Sequence, residues 1–435
     1  MSSNPSKAGV VNFEEARRIV EEHAAKLLAA LSDLTATETL DLLAARGRVL
    51  AEPILADRDF PPFARATRDG YAVRAADVER VPARLEVVGE IKAGDSAETF
   101  AVKTGQCVSI MTGAGLPAGA DAVVMVEYAS ASGNSVEIQR SVANGENFVP
   151  QGAEARAGQL LVEKGHRLDH ALIAIAAAVG KSRIAVFCKP RVGVLSTGDE
   201  VVAIDAIPGA AQIRNSNSYS LAAQIEAAGG EPVRLEIAPD EPKRLRNLIE
   251  EGLACDLLLI TGGVSMGKYD LVEQVLAEMK ADFYFTGARI QPGKPVVFGS
   301  CSADTPVRML AAKKAPSRTR VFAPHHFFGL PGNPVSTMVT FRLFAQPLIA
   351  ALGGTRPEPL VFMKARLKAE VRTKTGLTRF LPAVISSEFE NAQVELTAWQ
   401  GSGDIAALAR TNCYLVIPPD RERIAAGEWA SVLLA

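Results

Sequence analysis

Between Pro190 and about Gly353 the chain alternates short, uninterrupted apolar runs with segments of helical spacing, and this pattern restricts the fold more than any other feature. "RVGVLSTGDE" reads as a strand and loop, "NSNSYSLAAQIEAAGG" as a capped helix closed by two glycines, "EPVRLEIAPD" as a strand, "EPKRLRNLIEEGLA" as a helix and "CDLLLITGG" as a third strand. A strand apolar at every position is buried on both faces, so the expected structure is a three-layer αβα domain with a mostly parallel sheet. Ligands of such sheets bind beyond the carboxyl ends of the strands. "STGDE", "APDE" and "TGGVSMGKYD" each follow a strand directly, and we expect them to converge on one crevice.

The period changes on both sides of this region. From Asn12 to about Ala30, the apolar residues Phe13, Ala16, Ile19, Val20, Ala24, Leu27 and Leu28 have helical spacing, and a second helix is expected near 36–45. Residues 56–148 hold short strands such as "RLEVVGEI", "CVSIMTG", "DAVVMVEYA" and "SVEIQ" between turn residues, which predicts a small β insertion domain. A helix from about Asp169, stopped by Gly180, is expected to pack on the N-terminal helices, making 1–55 with 149–185 one discontinuous helical and β domain. The strands of 354–435 predict a small C-terminal β domain, so the fold class is multi-domain α/β plus β, with 186–353 as its αβα part. Residues 300–328 read as an insertion with a basic, proline-bearing centre.

At 435 residues several domains are expected, and 48% apolar with 22% charged residues is the composition of a soluble globular chain. A formal net charge of −2 gives no basic field for nucleic acid and no polybasic segment for a membrane, so neither is an expected partner. An anionic ligand must then meet local groups. The five cysteines, four in apolar surroundings, include no Cys-x-x-Cys pair, which argues against zinc ribbons and iron–sulfur sites. The N-terminus has no apolar signal core and no later window holds 18 uninterrupted apolar residues, so a cytoplasmic enzyme is expected.

Three sets of residues carry candidate chemistry. In "TGGVSMGKYD", Gly262 and Gly263 let backbone amides approach a ligand ahead of a helix; Thr261, Ser265 and Lys268 add donors, and Asp270 either caps the helix or binds a cation. A tight strand-to-helix turn would use the same residues. In "GLPGNPVSTMVTF", Pro331, Asn333 and Pro334 stiffen a loop whose Gly-Leu-Pro-Gly exceeds what a helix start requires. The third set is acidic: Asp69, Asp199, Glu200, Asp240 and Asp270, four of them at strand ends, where several carboxylates beside anion-binding loops suit a hydrated magnesium ion. Magnesium with such loops points to phosphoryl or nucleotidyl chemistry without a covalent nucleophile. No Gly-x-Ser-x-Gly context accompanies the histidines.

"PPFARATRDGYAVRAAD" (61–77), "SIMTGAGLPAGADAVVMVE" (109–127), "VLSTGDEVV" (194–202), "TGGVSMGKYD" (261–270), "QPGKPVVFG" (291–299) and "GLPGNPVS" (329–336) occur in the order seen in molybdopterin molybdenumtransferases, and the chain resembles that MoeA/gephyrin family along nearly its whole length. The resemblance implies an L-shaped homodimer of four-domain subunits whose αβα domain is adenylyltransferase-like, with a site shared between that domain and the β domain of the partner. It implies a reaction in which adenylylated molybdopterin and molybdate are the substrates, a divalent cation assists phosphoanhydride cleavage, molybdenum enters the dithiolene and AMP leaves. On this resemblance Asp69, Thr112, Glu200, Asp240 and Asp270 are the catalytic positions, and Glu200, Asp240 and Asp270 surround Mg2+. Lys294, Pro331 and Pro334 line the anion side. Ser402 of "WQGSGDIAALARTN" helps hold the pterin phosphate, or it or Asp404 is an ordinary helix cap.

The chain departs from the family at two places. Gln291 stands where many members have lysine, and Val149, Pro150 and Gln151 stand where basic residues are common, with Glu154 in place of aspartate. Arg65, Arg68, Arg156 and Arg289 are the arginines placed to compensate. The readings kept alongside molybdenum insertion are a molybdopterin adenylyltransferase, a tungstate-using paralogue and a binding or scaffold protein. Molybdopterin adenylyltransferase and molybdoenzyme maturation proteins are the candidate protein partners.

Overall fold

Along the strand Leu257–Thr261, successive side chains enter different cores, which is why its first four positions are all apolar. Leu257 and Leu259 join the cluster containing Phe285, Phe298, Phe328 and Phe344, while Leu258 and Ile260 join one with Leu245, Leu248, Ile249 and Phe327. Each such side chain removed from water contributes about 1.5–3 kcal/mol before entropy is set against it. The computed structural model describes residues 9–31, 36–263, 271–302 and 324–434. Ser265, Lys268, Asp270 and most of the 300–328 insertion therefore lie outside the described residues.

Contacts divide the chain into two units, Met1–Thr39 with Gly47–Ala51 and Ala185–Ala435, and Leu40–Arg46 with Glu52–Ile184. The first contains a six-stranded sheet in the order Glu231–Arg234, Arg191–Ser196, Leu257–Thr261, His325–Leu330, Val297–Cys301, Asp282–Phe285. The first four strands are parallel, and Val297–Cys301 is antiparallel to both neighbours. Chain order reverses between Arg191–Ser196 and Leu257–Thr261, the position where such sheets open a crevice. The helix Phe13–Leu31 sets Ala16, Val20 and Ala24 in the Phe285–Phe344 core.

The same unit ends in a β-barrel. Strands Thr378–Ile385, Gln393–Leu396, Phe362–Leu367, Trp429–Leu434 and Cys413–Ile417 pair in sequence, and Cys413–Ile417 pairs back onto Thr378–Ile385, closing a five-stranded ring around Leu367, Ala383, Leu415 and Val432. Closure leaves this ring without an unpaired edge. The short strand Ile290–Gln291 joins it alongside Thr378–Arg379.

The second unit is built on a mixed six-stranded sheet, Ala122–Met125, Gly70–Val73, Gln106–Ile110, Ala83–Ile91, Ser135–Ile138, Ala129–Ser132. Separate apolar clusters cover it, one with Val73, Leu85 and Val124, the other with Ala72, Ile91 and Val108. The helix His170–Ala178 is capped by Asp169, whose side chain accepts from the Leu172 amide.

One expectation is corrected. Residues 36–45 are not a helix: Thr37–Asp41 is a strand with alternating burial, followed by a single 3₁₀ turn, Leu43–Ala45. β-Branched Thr37 and Thr39 at a spacing of two favour the pleated backbone. All five cysteines are buried thiols, and burial raises Cys107, Cys255 and Cys301 to about 12, which leaves them unreactive. Among the described residues one helical stretch, Pro334–Leu352, is long and apolar enough to cross a membrane, but 78% of its apolar window is buried inside the fold.

Candidate active site

The strand ends of the first unit surround a cavity of about 360 Å³ lined by Thr197, Glu200, Asn217, Gly262, Gly263 and the Pro331–Pro334 loop. It lies where the chain order reverses. The Thr197 amide donates to the Thr261 carbonyl (3.0 Å), holding the first two loops together. A Cβ on Gly262 would come within 2.7 Å of the Thr197 carbonyl oxygen and one on Gly263 within 2.9 Å of the Thr197 hydroxyl, and both residues have positive φ, so only glycine lets this turn press so closely on its neighbour.

Asn217, in the first turn of the helix Ser216–Ala227, ties the loops at the floor. Its Nδ2 donates to Thr261 Oγ1 (3.0 Å) and to the Gly332 carbonyl (2.7 Å), and Thr261 Oγ1 in turn donates to the Pro331 carbonyl (3.1 Å). The arrangement leaves two orphans: Asn217 Oδ1 and Thr197 Oγ1 are buried and have no hydrogen-bond partner among the described residues. Unpaired buried polar atoms cost about 1–3 kcal/mol each, and both of these belong to residues that line the cavity. Sequence reading missed both residues. The "NSNS" run was legible only as a helix cap, a role Asn215 takes by accepting from the Ser218 amide.

Glu200 is exposed and lines the cavity. Asp240 is also exposed, and its amide donates to Asp199 Oδ1 (3.0 Å), which fixes the "APDE" turn against "TGDE". Among the described residues no three His, Cys, Asp or Glu side chains converge as a metal cluster, and Asp270 lies outside that set. The donors present are hard oxygens, two of them orphaned. Mg2+ is commonly held by one or two carboxylates while keeping several waters, and the chemistry of this set fits it.

Lys294 is exposed on the loop that follows Gln291, and its neighbour Pro295 reaches the cavity. Gln291 Oε1 accepts from Arg379 Nε (2.8 Å), and Arg379, only 6% exposed, also donates to the Leu377 carbonyl. The position that lacks the usual lysine thus has an arginine from the barrel against it. Ser402 is drawn in by its backbone: the Val335 amide donates to the Ser402 carbonyl (3.0 Å), occupying a free amide at the start of the helix Pro334–Thr340. The cap of the nearby Ile405–Leu408 helix is Asp404, which accepts from Ala407.

In the second unit Asp69 and Thr112 meet. They lie beside the paired Gly70 and Ile110 at adjacent strand ends, and Asp69 Oδ1 accepts from both the Thr112 amide (2.6 Å) and the Thr112 hydroxyl (2.7 Å). These donors, the amide foremost, hold the Asp69 carboxyl below the usual range. A Cβ at Gly70 would lie 1.8 Å from the Val124 carbonyl oxygen, so glycine there is what brings the strands together. Nearby, Val149 pairs with Arg65, Arg65 forms an exposed ion pair with Glu154, and Gln151 Nε2 donates to Asp59.

Fold and cavity define a multi-domain α/β protein with a ligand crevice at the topological switch of its sheet. Residues 11–180 match the MoeA N-terminal region (domain I and II), 193–351 the probable molybdopterin binding domain, and 364–435 the MoeA C-terminal region (domain IV). A molybdopterin molybdenumtransferase of Nostoc sp. is 37% identical over 409 residues, covering 91% of this chain and 88% of that one. The Bacillus subtilis molybdopterin molybdenumtransferase is 31% identical, covering 92% and 90%. The structure of a molybdopterin biosynthesis MoeA protein from Pyrococcus horikoshii superposes with a TM-score of 0.76 at 28% identity, over 98% of this chain and all of that one. The chain belongs to the MoeA family of molybdopterin molybdenumtransferases.

Proposed function

We propose that this protein inserts molybdenum into molybdopterin during molybdenum cofactor biosynthesis, taking adenylylated molybdopterin and molybdate and releasing AMP. The observation that carries the reading is the cavity at the switch point, with carboxylate Glu200 on its wall and the unpartnered oxygens of Thr197 and Asn217 at its floor. The loop amides and Lys294 meet the phosphate groups, Pro331, Asn333 and Pro334 shape the wall, and Ser402 borders the loop. Glu200 and Asp240, with Asp270, would hold Mg2+, which when bound neutralises charge on the phosphoanhydride as it breaks.

Asp69, kept ionised by Thr112, is an acceptor that orients a donor on substrate or water. Its site belongs with the cavity through a homodimer in which each active centre draws on two subunits. On the same reading the protein acts in the cytoplasm, and the chain divides into 1–55 with 149–185, 56–148, 186–353 and 354–435.

Turnover of Glu200→Ala and Asp270→Ala tests the assignment. Each is expected to lose at least about 100-fold in rate with an unchanged unfolding midpoint, the scale of removing a group that stabilises developing charge. Wild-type rates in both variants would refute it.

A further inference from the structure

A second cavity, of about 450 Å³, adjoins the first through a shared wall residue, Asn215. It sits at the carboxyl end of the strand Glu231–Arg234, against the start of the helix Ser216–Ala227. Arg234, the last residue of that strand, lays its guanidinium over the Tyr219 ring with 4.1 Å between the Arg234 Cζ and the ring centroid, and among the described residues it makes no ion pair. Tyr219 is 40% exposed.

We propose that this second cavity holds a planar, amino-bearing heterocycle of the substrate, stacked on the Tyr219–Arg234 layer, while its phosphate occupies the first cavity. The inference rests on the functional reading above and extends it to the ring end of the ligand. A guanidinium lying on a phenol ring, with no ion pair among the described residues, offers a flat cationic surface, the kind on which bases stack. The cavity lining includes two carboxylates, Asp205, which can accept hydrogen bonds from exocyclic amino groups, and Glu236, which is paired with Arg244, and together they disfavour a second anion. The volume lies within the range of small-ligand sites, and a heterocycle-phosphate ligand reaching from one cavity to the other would pass over Asn215, which borders both. Adenylylated molybdopterin carries two such rings, adenine and pterin.

Calorimetric titration of the full chain with AMP, with molybdopterin and with ribose 5-phosphate tests the proposal. In Tyr219→Ala or Arg234→Ala, the affinity for AMP or for molybdopterin is expected to fall about five- to a hundredfold, the range for losing one stacking partner. Ribose 5-phosphate, which lacks a ring, should bind as to wild type, and Tyr219→Phe should retain affinity for all three. A loss confined to AMP assigns the cavity to adenine, and one confined to molybdopterin assigns it to the pterin. Unchanged affinity for both in folded variants, while the wild type still releases AMP, overturns this proposal and leaves the functional reading standing. A wild type that binds neither ligand and releases no AMP removes both.

Discussion

Two donors from Thr112 keep the exposed Asp69 carboxyl ionised, so at neutral pH it accepts hydrogen bonds and has no proton to give. Asp69→Asn should therefore lower turnover by about tenfold or more, because an amide can turn a donor toward Thr112 and lose the charge. Steady-state rates check this, and unchanged rates would remove Asp69 from the site. Gln291 makes a different prediction. Lysine there would face the buried Arg379 guanidinium, so Gln291→Lys should destabilise by about 1–3 kcal/mol, and Gln291→Lys with Arg379→Gln should recover most of the loss. Denaturant unfolding of the single and double variants decides it. Glu200, Gly262 and the Pro331–Pro334 loop stand out in the sequence as polar, glycine- or proline-bearing loops beside apolar strands, and the structure brings them around one cavity. Thr197 and Asn217 were not, because their importance arises from loops far apart in sequence meeting at one floor.

Among elements, the helical stretch from Pro334 to Leu352 shows how one residue imposes a distant requirement. Pro347 has no N–H to give the carbonyl four residues earlier, that of Leu343, and the turn Phe341–Ala345 widens to a π-helix just before it. Buried Arg17, from the Phe13–Leu31 helix, donates to that carbonyl. Arg17→Met should cost about 1–3 kcal/mol by leaving it unsatisfied, and less in a Pro347→Ala background where an amide becomes available. Equal losses in both backgrounds would separate Arg17 from Pro347. The αβα alternation was readable because strands buried on both faces, such as Leu257–Thr261, carry runs of consecutive apolar residues. The short strand Thr37–Asp41 was misread because few residues carry its period, and neither the Arg17–Leu343 contact nor closure of the barrel leaves a local signal. The buried His326, stacked near Phe298 and facing His23 and Tyr284, is held down to about 4 by burial first and His23 second. A base whose folded value is depressed binds its proton in the unfolded chain first, so stability falls as pH drops from about 6.5 towards 4. Thermal midpoints should show that fall, and His326→Phe should flatten it.

For the whole molecule, the sequence motifs run through both contact units, with Asp69 and Thr112 in one and the Glu200 cavity in the other. If the homodimer shares its centres, mixing equal amounts of Asp69→Ala and Glu200→Ala chains should restore up to about a quarter of wild-type activity to the mixture, since one of the two centres in a mixed dimer is intact and half the dimers are mixed. Activity no higher than that of either variant alone would place each centre within one subunit. The most direct test of the central claim is AMP release from adenylylated molybdopterin with Mg2+, followed by chromatography with and without molybdate, together with the formation of active molybdenum cofactor. The account predicts molybdate-dependent AMP release coupled to active cofactor. A folded protein that releases no AMP, or releases it without forming cofactor, would contradict it.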